Sequence, residues 1–298
     1  MTLIVAAHDA GGAEVVSSWL LQEGVQARCV LEGPAVAVFE RKLGAVQRVD
    51  RAALAVPPPG AGFVLTGTSQ VSDLERRMID WAHRCGIRCA AFLDHWVGYR
   101  NRFTGRLPDE IWVGDRHAYE RALAEGFGRE RLRLVPNPYL SQMSRRIRRR
   151  PDEPRRGKIR LLYICEPISQ EGRVVHGDPE YFGFTELTLV DELMQWYRRH
   201  GRHYFELRVR PHPAEGPDKY RSVLRDGNDR VRLSQDPDVG ADLQWADWVV
   251  GIESMALALA AEAGKRVFSY IPTDRYVCHL PHGGVRSIRR FKELVDYA

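Results

Sequence analysis

The chain has 298 residues, 44% of them hydrophobic and 28% charged, a globular composition with room for two domains of ordinary size. Its formal charge is +5, carried by 39 arginines against five lysines, and their even spread with no nucleic-acid motif argues against a specific nucleic-acid partner. No apolar run approaches the ~20 residues that cross a bilayer, MTLIVAAHDAGG lacks the basic start of a signal peptide, and five scattered cysteines fit a reducing compartment, so a cytoplasmic protein is expected.

TLIVAA (Thr2 to Ala7) predicts a buried first strand entering HDAGGAE, followed by an amphipathic helix over Val15 to Glu23. Strand, glycine turn and helix form the opening unit of a doubly wound domain. Gly11 and Gly12 permit a close backbone approach to a ligand, and the helix N-terminus behind them favours negative charge. The same residues also suit a tight turn with no ligand. Further strands are expected at Ala27 to Gly33, Phe63 to Ser69, Ile87 to Tyr99, Glu110 to Asp115 and Leu132 to Leu140, with helices between them and a stiff loop at Pro57 to Gly60. Asp94 and His95 then lie at a strand exit, where a carboxylate beside an imidazole is a usable general base. His8 and Asp9 compete for that role. Trp96, Tyr99 and Arg100 give the Asp94 loop the look of a binding surface.

SRRIRRRPDEPRRGK (Ser144 to Lys158) is charged, holds two prolines and interrupts the periodicity. It divides the chain into domains at 1–150 and 151–298. Its run Arg145 to Arg150 suits a solvated linker, with peripheral contact to an anionic membrane as the other use of such a charge. The second half opens with the strand Ile159 to Pro167 and a long loop from Glu166 to Gly183. A helix from Phe184 to His200 follows, with Leu187, Val190, Leu193, Met194 and Tyr197 toward the core. Next come the strands Phe205 to Arg210 and Val231 to Asp236, a short helix near Asp242 to Trp245, and the strand WVVGI. The helix Met255 to Gly264, the last clear strand Arg266 to Pro272 and a closing helix from Ser287 to Tyr297 complete the chain.

Two turns of this half carry the chemistry. Pro211 and Pro213 bracket His212 and limit the backbone on both sides, so a fixed imidazole could donate to a phosphate oxygen, with Arg210 adding charge. Ser254 precedes the apolar run MALALAAEAG as a helix N-cap, and the free N–H groups of that helix start, at Met255 and its neighbours, could hold a phosphate. Glu253 would repel a phosphate and suits sugar or ribose hydroxyls instead. The Cys85–Cys89 spacing lacks a second pair, and Cys278, His279 and His282 read as part of a glycine loop, so neither a metal nor a cofactor is expected.

Through HDAGGAE, NPYL, RPHP and GIESMALALAAEAGKRVFSY the sequence resembles the GT-B glycosyltransferase superfamily over nearly its whole length, and its His-Pro and Ser turns are similar to those of bacterial capsule and sialyltransferase-type enzymes. That resemblance implies an α/β fold of two Rossmann-like domains facing each other across a cleft, with the acceptor on the first and the nucleotide donor on the second. It implies His212 and Ser254 at the donor phosphate of a CMP- or UDP-linked sugar, with Pro213 a further donor-side candidate, and transfer to a glycan or lipid-linked acceptor in surface-polysaccharide synthesis. Nucleotide-sugar epimerases and hydrolases share the two-domain plan, and a non-catalytic nucleotide-sugar-binding or scaffold subunit would too.

Overall fold

The computed structural model describes residues 2–50, 57–148, 157–216, 218–224, 231–281 and 283–298. His282 and residues 149–156 of the charged stretch lie outside them. The chain divides into two compact domains, Met1–Ser141 and Gln142–Ala298. The division falls within the helix Pro138–Arg148, whose start is capped by the Asn137 side chain accepting from the N–H groups of Tyr139 at 3.0 Å and Leu140 at 3.3 Å.

The first domain holds strands β1 (Thr2–Ala7), β2 (Ala27–Leu31), β3 (Gln47–Arg48), β4 (Ala61–Thr66), β5 (Arg88–Leu93), β6 (Glu110–Val113) and β7 (Leu132–Leu134). They form one sheet in the order β3-β2-β1-β4-β5-β6-β7, parallel throughout. The second holds β8 (Ile159–Ile164), β9 (Phe205–Arg210), β10 (Arg232–Leu233), β11 (Trp248–Gly251), β12 (Arg266–Tyr270) and β13 (Val285–Ile288). Its sheet runs β10-β9-β8-β11-β12-β13, also parallel throughout. Both are doubly wound. The order reverses between β1 and β4 in one and between β8 and β11 in the other, and ligands of such sheets sit beyond the carboxyl ends of the strands at that reversal.

Helices on both faces explain the unbroken apolar strands. Ile4, Val5, Ala6 and Ala7 are wholly shielded, as are Phe205, Leu207 and Val209, and each large side chain so buried contributes about 1.5–3 kcal/mol. Where strands lack that signature the sequence misleads. β3 has two exposed residues, and β13 presents Arg286 and Ser287 to solvent, so neither reads as a strand. The expected closing helix therefore starts late: Ser287 and Ile288 belong to β13, and a 3-10 helix spans Phe291–Tyr297. The long loop after β8 contains a helix, Ile168–His176. In the helix Glu186–Arg199, Leu187 is exposed and Leu189 takes the core position expected for it, because the buried stripe runs through 189, 190, 193, 194 and 197.

One buried charge network ties β9 to the helix Val239–Trp245. Asp242 is wholly shielded and accepts from Arg208 Nη1 at 2.7 Å and Arg210 Nη1 at 2.6 Å. Arg210 also donates to the Asp236 carbonyl at 2.8 Å, and the Arg208 guanidinium lies 4.0 Å from the Trp245 ring centre. Removing one member of a buried ion pair strands the others, so Asp242→Ala should lose about 3–5 kcal/mol of stability, measured as a lower midpoint of urea denaturation.

Candidate functional site

In the first domain the reversal is lined by the exits of β1, β4 and β5. β1 leads into His8 and Asp9, and the helix Ala10–Glu23 starts there. Gly12 lies against Gly67 of the β4 exit, where a Cβ on Gly12 would stand 3.2 Å from the Gly67 Cα. A side chain there would push the helix start and the neighbouring strand exit apart by a few tenths of an ångström. Gly11 faces the Asp94 carboxylate, and a Cβ there would run into Asp94 Oδ2.

Asp9 occupies the N-cap position of that helix, yet its carboxylate does not cap. It turns to its neighbour: His8 Nδ1 and Asp9 Oδ1 are 2.7 Å apart. The bond to a carboxylate places the ring proton on Nδ1 and makes Nε2 the basic nitrogen. Both side chains remain partly exposed, at 23% and 31%. The two residues that compete for one role in the sequence thus form one hydrogen-bonded pair.

Asp94 is buried. Thr68 Oγ1 donates to its Oδ1 at 3.1 Å, and Arg102 Nη1 lies 3.7 Å from the same oxygen and 3.1 Å from Thr68 Oγ1. His95 points to a different neighbour, its ring centre 5.8 Å from that of Trp96. The aromatic part of the expected binding surface of this loop is interior instead. Trp96 and Tyr99 are buried, with Trp96 Nε1 donating to Asp115 at 2.8 Å, and the Arg100 side chain bonds the Glu125 carbonyl.

Glu75 completes this group. It lies in the first turn of the helix Leu74–Arg84 and is 3% exposed. Its Oε1 accepts the His8 backbone N–H at 2.8 Å, while its shielded Oε2 has no hydrogen-bond partner. Burial pushes its carboxyl up to about 7, with Asp9 raising it further, and the N–H bonds from its own backbone and from His8, with the His8 ring charge, opposing. Sequence reading misses it, although an acid within the apolar stripe Leu74, Met78, Ile79 and Ala82 is a visible anomaly.

The second domain places Glu166 and Ser254 at the reversal and His212 at the adjacent strand exit. Glu166, just after β8, reaches the exit of β11 ahead of the helix start at Ser254. Its Oε1 accepts from the N–H groups of Ile252 at 2.8 Å and Glu253 at 2.9 Å. Burial and the Glu253 carboxylate push Glu166 up to about 8, against the N–H bonds that favour its charge. The N–H groups that Glu166 takes precede the Ser254 N-cap, so a carboxyl stands beside the helix start where the sequence suggests a phosphate. Ser254 caps the helix Met255–Glu262 through its hydroxyl, which accepts from Ala256 N–H at 3.2 Å. Glu253 turns to the 276–279 loop, accepting from the Tyr276 hydroxyl and from the His279 backbone N–H at 2.9 Å. Among the described residues, this cluster has no sequence signal beyond a strand-exit acid before Pro167.

His212 follows β9, with Pro213 exposed beyond it. Its backbone N–H donates to Glu215 Oε2 at 2.9 Å, and its Nδ1 accepts from Ala214 N–H at 3.2 Å. Accepting at Nδ1 puts the proton of the neutral ring on Nε2, making that N–H its donor. Glu215 is itself held by Lys219 Nζ and the Tyr220 hydroxyl, each at 2.8 Å. Arg210, expected beside His212, gives its guanidinium to Asp242.

Solved structures align with the chain over both domains. The UDP-GlcNAc 2-epimerase of Methanocaldococcus jannaschii, in complex with UDP-GlcNAc and UDP, superposes with a TM-score of 0.67 at 10% identity, over 99% of this chain and 91% of that one. The UDP-GlcNAc 2-epimerase of Neisseria meningitidis bound to UDP-GlcNAc gives 0.59 at 12% identity, over 100% and 92%. The glycosyltransferase SnogD of Streptomyces nogalater gives 0.52 at 13% identity, over 100% and 91%. The chain has the GT-B fold. No protein-family model matches the sequence, and no curated protein matches it.

A carboxyl that ionises later in the folded state than in the unfolded chain makes stability fall as pH rises between the two pKa values. For Glu75 that window runs from its ordinary 4.5 to about 7. Glu75→Gln keeps an acceptor for the His8 N–H and removes the charge. Thermal melts should therefore show the variant more stable than wild type at pH 8, by about 1–3 kcal/mol, with the gap closing toward pH 4.5.

Proposed function

We propose that this chain is an enzyme acting on a nucleotide sugar, and that it transfers the sugar to a hydroxyl acceptor. The observation that carries this reading is the His8–Asp9 pair at the reversal of the first sheet, a base held in one tautomer and open to solvent. The acceptor O–H gives its proton to His8 Nε2 while its oxygen forms the bond to the anomeric carbon and the bond to the donor phosphate breaks. Asp9 holds the imidazole in place and balances the charge it gains. The buried Asp94 carboxylate, next to Gly11, is the second acidic group for sugar hydroxyls or for the same proton.

On the second domain, His212 donates from Nε2 to the departing phosphate, and the Ser254 hydroxyl and Met255 N–H offer further donors at the adjacent turn. Glu166 would repel a phosphate if ionised. At neutral pH its elevated pKa keeps it mostly protonated, which removes that obstacle. The fold is one in which nucleotide-sugar enzymes are built, and that likeness supports the donor class. The larger superposition scores of the epimerases favour a second reading, epimerisation or hydrolysis of the same class of donor.

Two measurements test this. Calorimetry with CMP, CDP, UDP and dTDP should find one preferred nucleotide, with affinity falling about 10- to 100-fold in His212→Ala; unchanged affinity removes His212 from the donor site. Incubation with the preferred nucleotide sugar alone should leave the sugar unaltered, with nucleotide release accelerating only when a hydroxyl acceptor is added. A changed sugar without acceptor selects the epimerase reading.

A further inference from the structure

The strands of the first sheet are parallel, so the starts of β5 and β6 lie at the end opposite to His8, Asp9 and Asp94. Three elements meet there: the end of the helix Leu74–Arg84, the second residue of β5, and the residue before β6. They bring together His83, Cys89 and Asp109. Among the described residues this is the one group of three nitrogen, sulfur and oxygen donors whose ligand atoms all lie within 4.8 Å of one another.

The geometry points to a zinc-class metal site formed by His83 Nε2, Cys89 Sγ and Asp109 Oδ1. Four observations carry it. First, His83 Nε2 is shielded from solvent and makes no hydrogen bond, its ion-pair neighbour being Asp109 Oδ1 at 3.8 Å. A buried polar atom without a partner is costly, and a metal ion would supply one. Second, that 3.8 Å separation is close to the ~3.3 Å expected between two ligands of a tetrahedral zinc with bonds of about 2 Å. Third, Cys89 N–H donates to Asp109 Oδ2 at 2.8 Å, which fixes the carboxylate and leaves Oδ1 on the His83 side. Oriented carboxylates of this kind are a regular feature of metal centres. Fourth, the Cys89 residue is wholly buried while the Asp109 side chain is 42% exposed, so a metal ion can enter past the carboxylate.

The donor set selects the metal. Thiolate with imidazole and carboxylate suits zinc or cobalt, whereas magnesium and calcium require oxygen cages. Three protein ligands leave a fourth position for water. The thiol is held up to about 12, chiefly by burial, with Asp109 and Arg131 the charged groups beside it. It is therefore protonated without metal, and binding must release its proton. The sequence conceals the site because Cys85–Cys89 draws attention to a pair that lacks partners. Cys85 has no part in the cluster, and His83 and Asp109 come from either side of it in the chain.

The test is titration of the purified, chelator-treated full chain with ZnCl2 and, separately, CoCl2. One equivalent should bind with a dissociation constant below about 10 µM. The cobalt form should show the sulfur-to-cobalt charge-transfer absorption and visible bands of a tetrahedral site. Affinity should fall at least about tenfold in Cys89→Ser, His83→Gln and the surface variant Asp109→Asn, and remain unchanged in Cys85→Ser. Asp109→Asn keeps the test decisive should the Cys89 and His83 variants fail to fold. No saturable binding, or binding that survives Asp109→Asn and lacks the sulfur absorption, overturns the site. The readout is the metal alone, so it stands or falls apart from any transferase activity.

Discussion

The second domain depends on where one carboxyl group sits. Glu166 leaves β8 and bonds the N–H groups at the exit of β11, which joins the two strands on either side of the sheet reversal. Hydrogen bonds to a charged group contribute about 1.5–3 kcal/mol each, and desolvating the carboxylate costs several. The balance leaves a carboxyl near its titration midpoint at mildly basic pH. Its position also sets its neighbours. With its N–H engaged by Glu166, Glu253 directs its own carboxylate away, to Tyr276 and His279, and Ser254 caps the helix beyond.

The first domain repeats the arrangement with other residues. There too an acid faces the start of a helix at the reversal, Asp94 against Gly11. The two differ in how their charge is met. Asp94 has a guanidinium and a hydroxyl beside it, whereas Glu166 accepts from backbone N–H groups and has a second acid nearby. Glu75 is the extreme case, buried with one oxygen bonded to a backbone N–H and the other to nothing. Asp242 shows the opposite limit, a buried carboxylate held by two guanidinium groups as part of the scaffold. Burial without a cation raises a carboxyl, as at Glu75 and Glu166, whereas guanidinium groups tie Asp242 into the scaffold.

How much of this was legible in advance depends on the kind of signal. Apolar runs ending in glycine or polar turns located β1, β4, β5, β8, β9, β11 and β12, because strands covered on both faces cannot hide their composition. Edge strands with solvated residues, such as β3 and β13, carry no such mark. The histidines were visible as strand-exit residues, but their tautomers were not, since those follow from the Asp9 carboxylate in one case and the Ala214 N–H in the other.

The sequence by itself determined the fold class, the alternation of elements and the turns that end on the ligand side of each sheet. Those are consequences of local composition and periodicity, which any window of the chain exposes. Only the tertiary structure decided what each carboxylate touches. In a parallel sheet with a reversed order, neighbours in space are remote in the chain: Glu166 meets residue 252, His8 meets residue 75, and Arg210 meets residue 242. Burial then raises Glu75 and Glu166, and no stretch of sequence contains the neighbours that produce that burial.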